Sequence, residues 1–342
     1  MTALITRRSL AAGASGLLAM PALASRAAEP IRLRASLDTA PSHGRNIAIA
    51  DYLKKVEQAS GGRIKPELFQ SGQLFPDLQI GKALIEGQVE MACPGGWTIT
   101  GVVPNADLFQ LPALYGQTLD VVHKVIDGRA GAIVAKDIAT RLRAHVIGPW
   151  LDLGYQNWYS ATKKLDSFSA LRGMKIRNSG GAGAAWRTRF FGAIPNTTAW
   201  PNVPLALSQG TFDGLISTDE SLASAKLWEA GVKSSLADHN FVGEYIPVVS
   251  LAFWNKLTAD DRKMMTDLWM ASIPTYRAAM AQRQIEARRM LEAHGITFTD
   301  PTPAELAANR AKMLPDTAEV AKQIKVSPEI VQLVNEDAGV AG

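Results

Sequence analysis

The chain has 342 residues, of which 47% are apolar and 20% are charged. This composition is typical of a globular protein, and the length is sufficient for two α/β lobes. No segment reaches the roughly 20 consecutive apolar residues that a membrane-spanning helix requires. We therefore predict a protein with no direct membrane insertion.

Residues 1–28 have the layout of an export signal. Arg7 and Arg8 form a charged start, and an apolar run of small residues from Leu10 to Ala24 ends in an Ala-Leu-Ala processing site. The double arginine also resembles a twin-arginine signal, which implies export in the folded state. An amphipathic N-terminal helix is disfavoured because the run has no polar face. We expect a periplasmic protein.

The charge and the cysteine count exclude two further features. Removing the signal takes away Arg7, Arg8 and Arg26 and no acid, so the net charge falls from +4 to +1. A near-neutral protein lacks the basic face that a nucleic-acid partner requires. Cys93 is the only cysteine, so no intrachain disulfide can form, and its apolar neighbours favour a buried side chain.

From residue 31 onward, short β-type runs alternate with helical patterns. Strands are predicted at 31–37, 64–69 and 89–93, and helices at 43–60 and 78–86. Strands that alternate with helices of this length predict a parallel sheet covered on both faces.

A second series of strands and helices begins near residue 145. The predicted strands are 145–151, 155–161, 174–177, 194–198 and 214–218, and the predicted helices are 182–191 and 203–209. Two successive series predict two lobes. We assign 29–150 plus 242–275 to lobe I, and 151–241 plus 276–342 to lobe II.

The last third of the chain contains the longest helical pattern. The stretch 245–254 is apolar and β-prone, and Thr258 with the following acids then opens a helix that runs to about Ala293. Pro274 is expected to kink this helix near Ser272.

Enzyme signatures are mostly absent. The sequence contains no G-x-S-x-G elbow, P-loop, H-E-x-x-H or C-x-x-C motif. The glycines at 180–183 lack the dinucleotide-binding register and better fit an anion at a helix N-terminus. We predict no enzyme activity, no cofactor and no metal. The histidines lack metal-ligand spacing, and each is interpreted as a surface or capping residue: His43, His123, His145, His239 and His294.

Arg177 is the most informative charged residue. It ends an apolar predicted strand and precedes the glycines that open a helix. Ligands of parallel α/β sheets bind beyond the carboxyl ends of the strands, where a guanidinium can hold a carboxylate through two hydrogen bonds. From the residues alone, a salt bridge between the lobes remains an equal alternative.

Tryptophans and small polar residues follow the other predicted strands. An apolar cleft with a few fixed polar groups is typical of small-molecule sites, although core packing is the alternative for each tryptophan. Together with Arg177, the candidate ligand-binding residues are Thr39, His43, Trp97, Trp150, Asp152, Gln156, Asn178, Trp200, Ser217, Thr218 and Asp219.

Three stretches resemble substrate-binding proteins of tripartite ATP-independent periplasmic (TRAP) transporters, the DctP-like family. They are 61–74, 171–177 and 205–214, and 107–112 also fits. The resemblance implies an α/β fold with the two-lobe periplasmic-binding-protein architecture and a long kinked helix that spans both lobes. It also implies a small organic acid as ligand, TRAP membrane subunits as partners and Arg177 as the residue that grips the ligand carboxylate.

The chain departs from that family at two positions. Gln156 stands where the family often has a second arginine, and Ile216 replaces an acid that some relatives use with a metal. Asp219 and Glu220 are the nearby acids that would compensate. These departures favour a monocarboxylate, or a longer and partly apolar acid.

Two other functions stay open at this point. An exported hydrolase requires a nucleophile with a nearby base, and the sequence shows no such pair with a plausible spacing. A receptor that feeds an ABC transporter or a sensor kinase is the second alternative. The stretches 171–177 and 205–214 disfavour the ABC transporter but do not address the sensor kinase.

Overall fold

The computed structural model describes residues 29–340, so the predicted export signal lies outside the described residues. The described strands are β1 (Ile31–Ser36), β2 (Ile64–Phe69), β3 (Met91–Ala92), β4 (Ala144–Val146), β5 (Leu151–Ser160), β6 (Lys175–Asn178), β7 (Ile194–Thr197), β8 (Gly214–Ser217), β9 (Ser234–Tyr245), β10 (Val248–Ser250) and β11 (Thr297–Thr299).

The α-helices alternate with these strands and also form the C-terminal part of the chain. They are α1 (Gly44–Ala59), α2 (Asp77–Ile85), α3 (Leu119–Ile126), α4 (Arg129–Asp137), α5 (Ala182–Phe190), α6 (Val203–Ser208), α7 (Asp219–Ser224), α8 (Leu251–Trp254), α9 (Ala259–Ala293), α10 (Pro303–Met313), α11 (Thr317–Ile324) and α12 (Pro328–Asp337). Between residues 29 and 340, no helix has both the length and the apolar character needed to cross a bilayer.

The strands form two mixed sheets. The first has the order β2-β1-β3-β10-β4 and the second the order β11-β9-β5-β8-β6-β7. Strand β1 pairs in parallel with β2 and β3, as predicted. However, β10 is antiparallel in the first sheet and β5 is antiparallel in the second, because the chain returns from one sheet to the other through short connections. A purely parallel sheet is therefore wrong for both.

Two strand predictions need correction. The predicted strand 145–151 ends at Val146, and β5 begins only at Leu151. The intervening Gly148-Pro149 interrupts the run, because proline lacks the N–H that a central strand donates. Strand β9 was not predicted, since its buried polar residues hide the alternation of apolar and polar positions.

Helix α9 packs against elements beside both sheets. Its N-cap is Thr258, as predicted, and the helix continues through Pro274. The hydroxyl of Tyr52 on α1 donates to the Met265 carbonyl at 3.1 Å. Near the other end of α9, Gln284 accepts a 3.0 Å hydrogen bond from the Glu220 N–H on α7. The predicted two-lobe fold with one long spanning helix is confirmed.

The apolar core does not divide along the two sheets. A large cluster lies around the first sheet and continues through β5 and β9 to Ile176 on β6 and Ile216 on β8, whereas a smaller cluster includes Phe212, Leu215 and Leu222 near β8 and α7. The paired strands β5 and β9 contribute to the packing on both sides, and they form the floor of the pocket described next.

Candidate ligand-binding site

A pocket lies between the two sheets. Asp38 and Thr39 come from the segment after β1, whereas Arg177 and Ser217 come from β6 and β8 of the second sheet. The carboxyl ends of these strands therefore meet at the pocket. Its lining residues are Asp38, Thr39, Asp77, Leu78, Trp97, Thr98, Leu153, Gln156, Arg177, Ser179, Trp200, Ser217, Ser221 and Tyr245.

The side chain of Arg177 is hydrogen-bonded to nearby residues in the loops that follow strands of the second sheet, and it is only 1% exposed. Its Nε donates to the Thr198 carbonyl and its Nη1 to Ser179 Oγ, both at 2.9 Å. Among residues 29–340 it has no salt-bridge partner, so the interlobe salt bridge is not formed and Nη2 has no protein acceptor. Burial lowers the pKa of Arg177 to about 10, which leaves the guanidinium charged at neutral pH.

Gln156 is a second buried donor in the pocket. It lies on β5, is 4% exposed, and its Nε2 has no hydrogen-bond partner among the described residues. Gly243 makes room for this amide, because a Cβ at that position would lie 2.6 Å from Nε2. A buried donor without an acceptor is unfavourable by about 1–3 kcal/mol, which a ligand oxygen would relieve.

Two carboxylates line the opposite side of the pocket. Arg45 Nη2 lies 2.6 Å from Asp38 and its Nη1 lies 2.7 Å from Asp77. The guanidinium also stacks over Tyr245, with Cζ 4.2 Å from the ring centroid. Burial raises the pKa of Asp77, and Arg45 opposes that shift. This side of the pocket therefore presents the hydrogen-bond acceptors Asp38 and Asp77, both of which are already paired with the guanidinium of Arg45.

A buried polar contact joins the two sides next to the pocket. His43 Nε2 lies 2.9 Å from Glu220 Oε2 and 3.1 Å from Ser221 Oγ. The other carboxylate oxygen of Glu220 accepts from the Gly44 N–H at 2.9 Å and from Arg283 Nη2 at 3.0 Å. Burial raises the pKa of Glu220, but His43 and these donors hold it below its usual range.

The structure brings six predicted site residues to the pocket: Thr39, Trp97, Gln156, Arg177, Trp200 and Ser217. Trp150 and Asp152 do not line it. Trp150 packs on Phe109, with the ring centroids 5.8 Å apart, and Asp152 contacts His123 Nε2 at 2.8 Å. The sequence predicted a strand that ends at these residues, whereas β5 begins at Leu151, so the structure places both beside the pocket and not in its lining.

Four more predicted residues have structural contacts next to the pocket instead of lining it. Asn178 accepts hydrogen bonds from the Gly180 N–H and from Thr197. The helix-capping residues are Thr218 for α7 and His43 for α1, and Asp219 accepts from the hydroxyl of Tyr159. Helix capping therefore accounts for His43 and Thr218, whereas Asp219 is engaged by a residue of another strand.

Several lining residues were not predicted. Asp38 directly follows the predicted strand 31–37, and Ser179 lies two residues after the predicted strand 174–177, so their positions were an available signal. Tyr245 ends β9, whereas the sequence placed it at the start of the β-prone stretch 245–254. The others are Asp77, Leu78, Thr98, Leu153 and Ser221.

Acids that would hold a metal in the pocket are not free to do so. Asp38 and Asp77 are bound by Arg45, while Asp219 and Glu220 are engaged outside the lining. Among residues 29–340, one group of side chains has the composition and spacing to hold a metal ion, and it lies outside the pocket. It consists of His123, Asp152 and Glu244.

Comparison with known proteins identifies the family. A family model described as bacterial extracellular solute-binding protein, family 7, matches residues 37–323. The C4-dicarboxylate-binding periplasmic protein DctP of Rhodobacter capsulatus is 28% identical over 331 residues, covering 94% of this chain and 96% of the relative.

Solved structures share the fold. The sugar acid binding protein DctPAm of Advenella mimigardefordensis, in complex with galactonate, superposes with a TM-score of 0.85 at 20% identity, covering 91% of this chain and 98% of that one. A TRAP periplasmic solute binding protein from Shewanella oneidensis with bound succinate has a TM-score of 0.81 at 22% identity, covering 90% and 99%. The chain belongs to bacterial extracellular solute-binding protein family 7 and is a solute receptor of the DctP-like TRAP type, as its sequence resemblance predicts.

Proposed function

We propose that this receptor is a non-enzymatic periplasmic protein that binds a small organic acid through Arg177 and delivers it to TRAP membrane subunits. The observation that supports this is a charged, buried guanidinium with Nη2 unbound, in a pocket between two sheets. A carboxylate entering there forms a charge-assisted hydrogen bond in a site that excludes water.

The ligand class follows from the charges around the pocket. Arg177 holds one carboxylate, and Gln156 donates to a neutral or anionic oxygen. A second carboxylate at the far end would face Asp38 and Asp77, whereas a hydroxyl would donate to them. We infer a monocarboxylate that carries hydroxyl groups, the chemistry of the galactonate bound by DctPAm.

A thermal-shift screen followed by calorimetry tests the ligand class. Hydroxylated monocarboxylates such as galactonate are expected to raise the unfolding temperature more than succinate, because a ligand that binds only the native state stabilises it. Native mass spectrometry of the purified protein would identify any ligand that co-purifies. Stabilisation by succinate alone would contradict the proposal. It would mean that Asp38 and Asp77 do not exclude a ligand with a second carboxylate.

The proposed mechanism is closure of two lobes, with the boundaries predicted from the sequence. The contact of His43 with Glu220 joins the segment after β1 to α7, so it would form only when the lobes are closed. A ligand shifts the open and closed populations only by its different affinity for the two states. Small-angle scattering is expected to show a smaller radius of gyration when ligand is added.

One arrangement invites the hydrolase alternative. Ser221 Oγ lies 3.1 Å from His43 Nε2 and lines the pocket. However, His43 Nδ1 accepts a 3.1 Å hydrogen bond from the Arg45 N–H, so the proton of the neutral ring sits on Nε2. Such a ring cannot take the proton of Ser221, as a general base must. We expect no hydrolysis of a generic ester, and turnover that Ser221→Ala abolishes would contradict this.

We further propose export by the twin-arginine route. The support is the double arginine before the apolar run. The double substitution Arg7→Lys and Arg8→Lys is expected to retain the protein in the cytoplasm, as cell fractionation would show. Unchanged periplasmic recovery would favour export in the unfolded state.

A further inference from the structure

Three metal-ligating side chains from different elements meet behind the pocket. They are His123 on α3, Asp152 on β5 and Glu244 on β9, and their ligand atoms all lie within 4.8 Å of one another. His123 Nε2 and Asp152 Oδ1 are 2.8 Å apart. One imidazole nitrogen and two carboxylates form a donor set that suits zinc or another divalent transition metal.

Glu244 supplies an independent indication that the cluster binds a cation. Its side chain is 0% exposed, and neither carboxylate oxygen has a hydrogen-bond partner among residues 29–340. A buried carboxylate without donors is strongly unfavourable. Beside Asp152 this carboxyl group must be neutralised, by a bound proton or by a cation, and three ligand atoms within 4.8 Å of one another are arranged to hold a cation.

Arg277 does not supply that positive group. Its Nη1 and Nη2 lie 2.6 and 3.0 Å from the carboxylate of Asp127, and its Nε contacts Asp152 at 3.3 Å. Among residues 29–340, no Lys, Arg or His nitrogen lies within salt-bridge distance of Glu244, so its charge has no partner in the part of the protein that the structure describes.

The cluster is separate from the ligand pocket. On β9, Glu244 lies between Gly243, where an added Cβ would meet Gln156 in the pocket, and Tyr245, which lines the pocket. Because successive side chains of a strand point to opposite faces, Glu244 and its cross-strand partner Asp152 lie on the other face of the β5–β9 pair. We propose that His123, Asp152 and Glu244 bind one divalent transition-metal ion that ties α3 to the two strands behind the pocket.

Zinc titration of chelator-treated protein by calorimetry tests this proposal. One zinc ion per chain is expected to bind, and Glu244→Gln and His123→Ala are each expected to weaken binding at least about tenfold. His145→Ala is the matched control, because it removes another partly buried histidine. Cobalt bound in place of zinc is expected to give a visible absorption band that His123→Ala abolishes.

The organic-acid site provides the second control. Arg177→Ala is expected to lose ligand affinity but to keep zinc binding. Glu244→Gln is expected to keep ligand affinity but to lose zinc binding, so the experiment distinguishes failure of one proposal from failure of the other. Absence of zinc binding to the wild type, or equal binding to folded His123→Ala and Glu244→Gln, would overturn the proposal. A protonated carboxyl infrared band in zinc-treated protein that Glu244→Gln removes would overturn it too.

Discussion

The guanidinium of Arg177 lies over the indole ring of Trp200, with Cζ 5.4 Å from the ring centroid. Arg177 belongs to β6, and Trp200 follows β7, the strand paired in parallel with β6. Strand pairing therefore fixes the two side chains relative to each other before any ligand arrives. The ring restricts where the guanidinium can move, and a cation over an aromatic face is itself favourable.

Replacing Arg177 is expected to weaken ligand binding most. Loss of one partner of a desolvated charge pair is unfavourable by about 2–5 kcal/mol, so Arg177→Ala should reduce affinity roughly thirtyfold or more. Arg177→Lys keeps the charge but not the planar fork and should give an intermediate loss. Calorimetry with galactonate, or with the acid selected by the screen, measures both. The control is Arg189→Ala on α5, an exposed arginine, and wild-type affinity in Arg177→Ala would refute the anchor.

Gln156→Leu is expected to separate protein stability from ligand binding. The amide nitrogen has no hydrogen-bond partner between residues 29 and 340, so removing it should leave the unfolding temperature unchanged or raise it. The shift in unfolding temperature on adding ligand should shrink, because the ligand oxygen loses its donor. Gln282→Leu on the exposed face of α9 is the control. An equal ligand-induced shift in Gln156→Leu and wild type would mean that this amide does not contact the ligand.

Glu220→Gln is expected to favour the open arrangement. The carboxylate contacts His43, the Gly44 N–H and Arg283 at once, and the neutral amide loses the ionic part of these contacts. Small-angle scattering should then show a larger radius of gyration without ligand. The affinity for the ligand should fall by about tenfold, because the apparent affinity falls in proportion to the population of the closed state. The exposed Glu286→Gln is the control, and identical scattering curves would argue against a role in closure.

The sequence predicted the parts of the site that are local. Arg177 was recognisable because an apolar strand, an arginine and glycines follow one another within a few residues. Trp97 and Ser217 likewise follow their predicted strands closely. Such residues need only the strand end to be found, because the parallel sheet brings the strand ends together.

The parts that were not predicted depend on long-range contacts. Asp77 reaches the pocket because Arg45, 32 residues earlier, holds it. Tyr245 was placed at the start of the β-prone stretch 245–254, whereas it ends β9, whose buried polar residues obscure the strand pattern before it. Pairing across the fold decides both positions. Trp150 is outside the lining for a local reason, because Gly148-Pro149 separates two strands that look like one run in the sequence.

Asp238 on β9 is expected to make stability depend on pH. It is fully buried, and its carboxylate accepts 2.8 Å hydrogen bonds from Tyr115 and Trp158. Burial raises its pKa to about 7 against an ordinary value of 3.8, although these two donors oppose the shift. The folded protein therefore binds the proton more tightly than the unfolded chain. It follows that the free energy of unfolding falls as pH rises from about 4 to about 7.

Asp238→Asn should remove this contribution, because the amide keeps an acceptor oxygen for both donors and does not ionise. Urea unfolding at pH 5 and pH 8 measures the contribution of Asp238 to the free energy of unfolding. At pH 8 the variant should be more stable relative to wild type than at pH 5, by up to a few kcal/mol, since one pKa unit corresponds to about 1.4 kcal/mol. Other buried acids, such as Asp107, are present in both proteins, so their effects cancel in the difference. A difference between variant and wild type that is the same at both pH values would mean that Asp238 is already ionised in the folded state at pH 5.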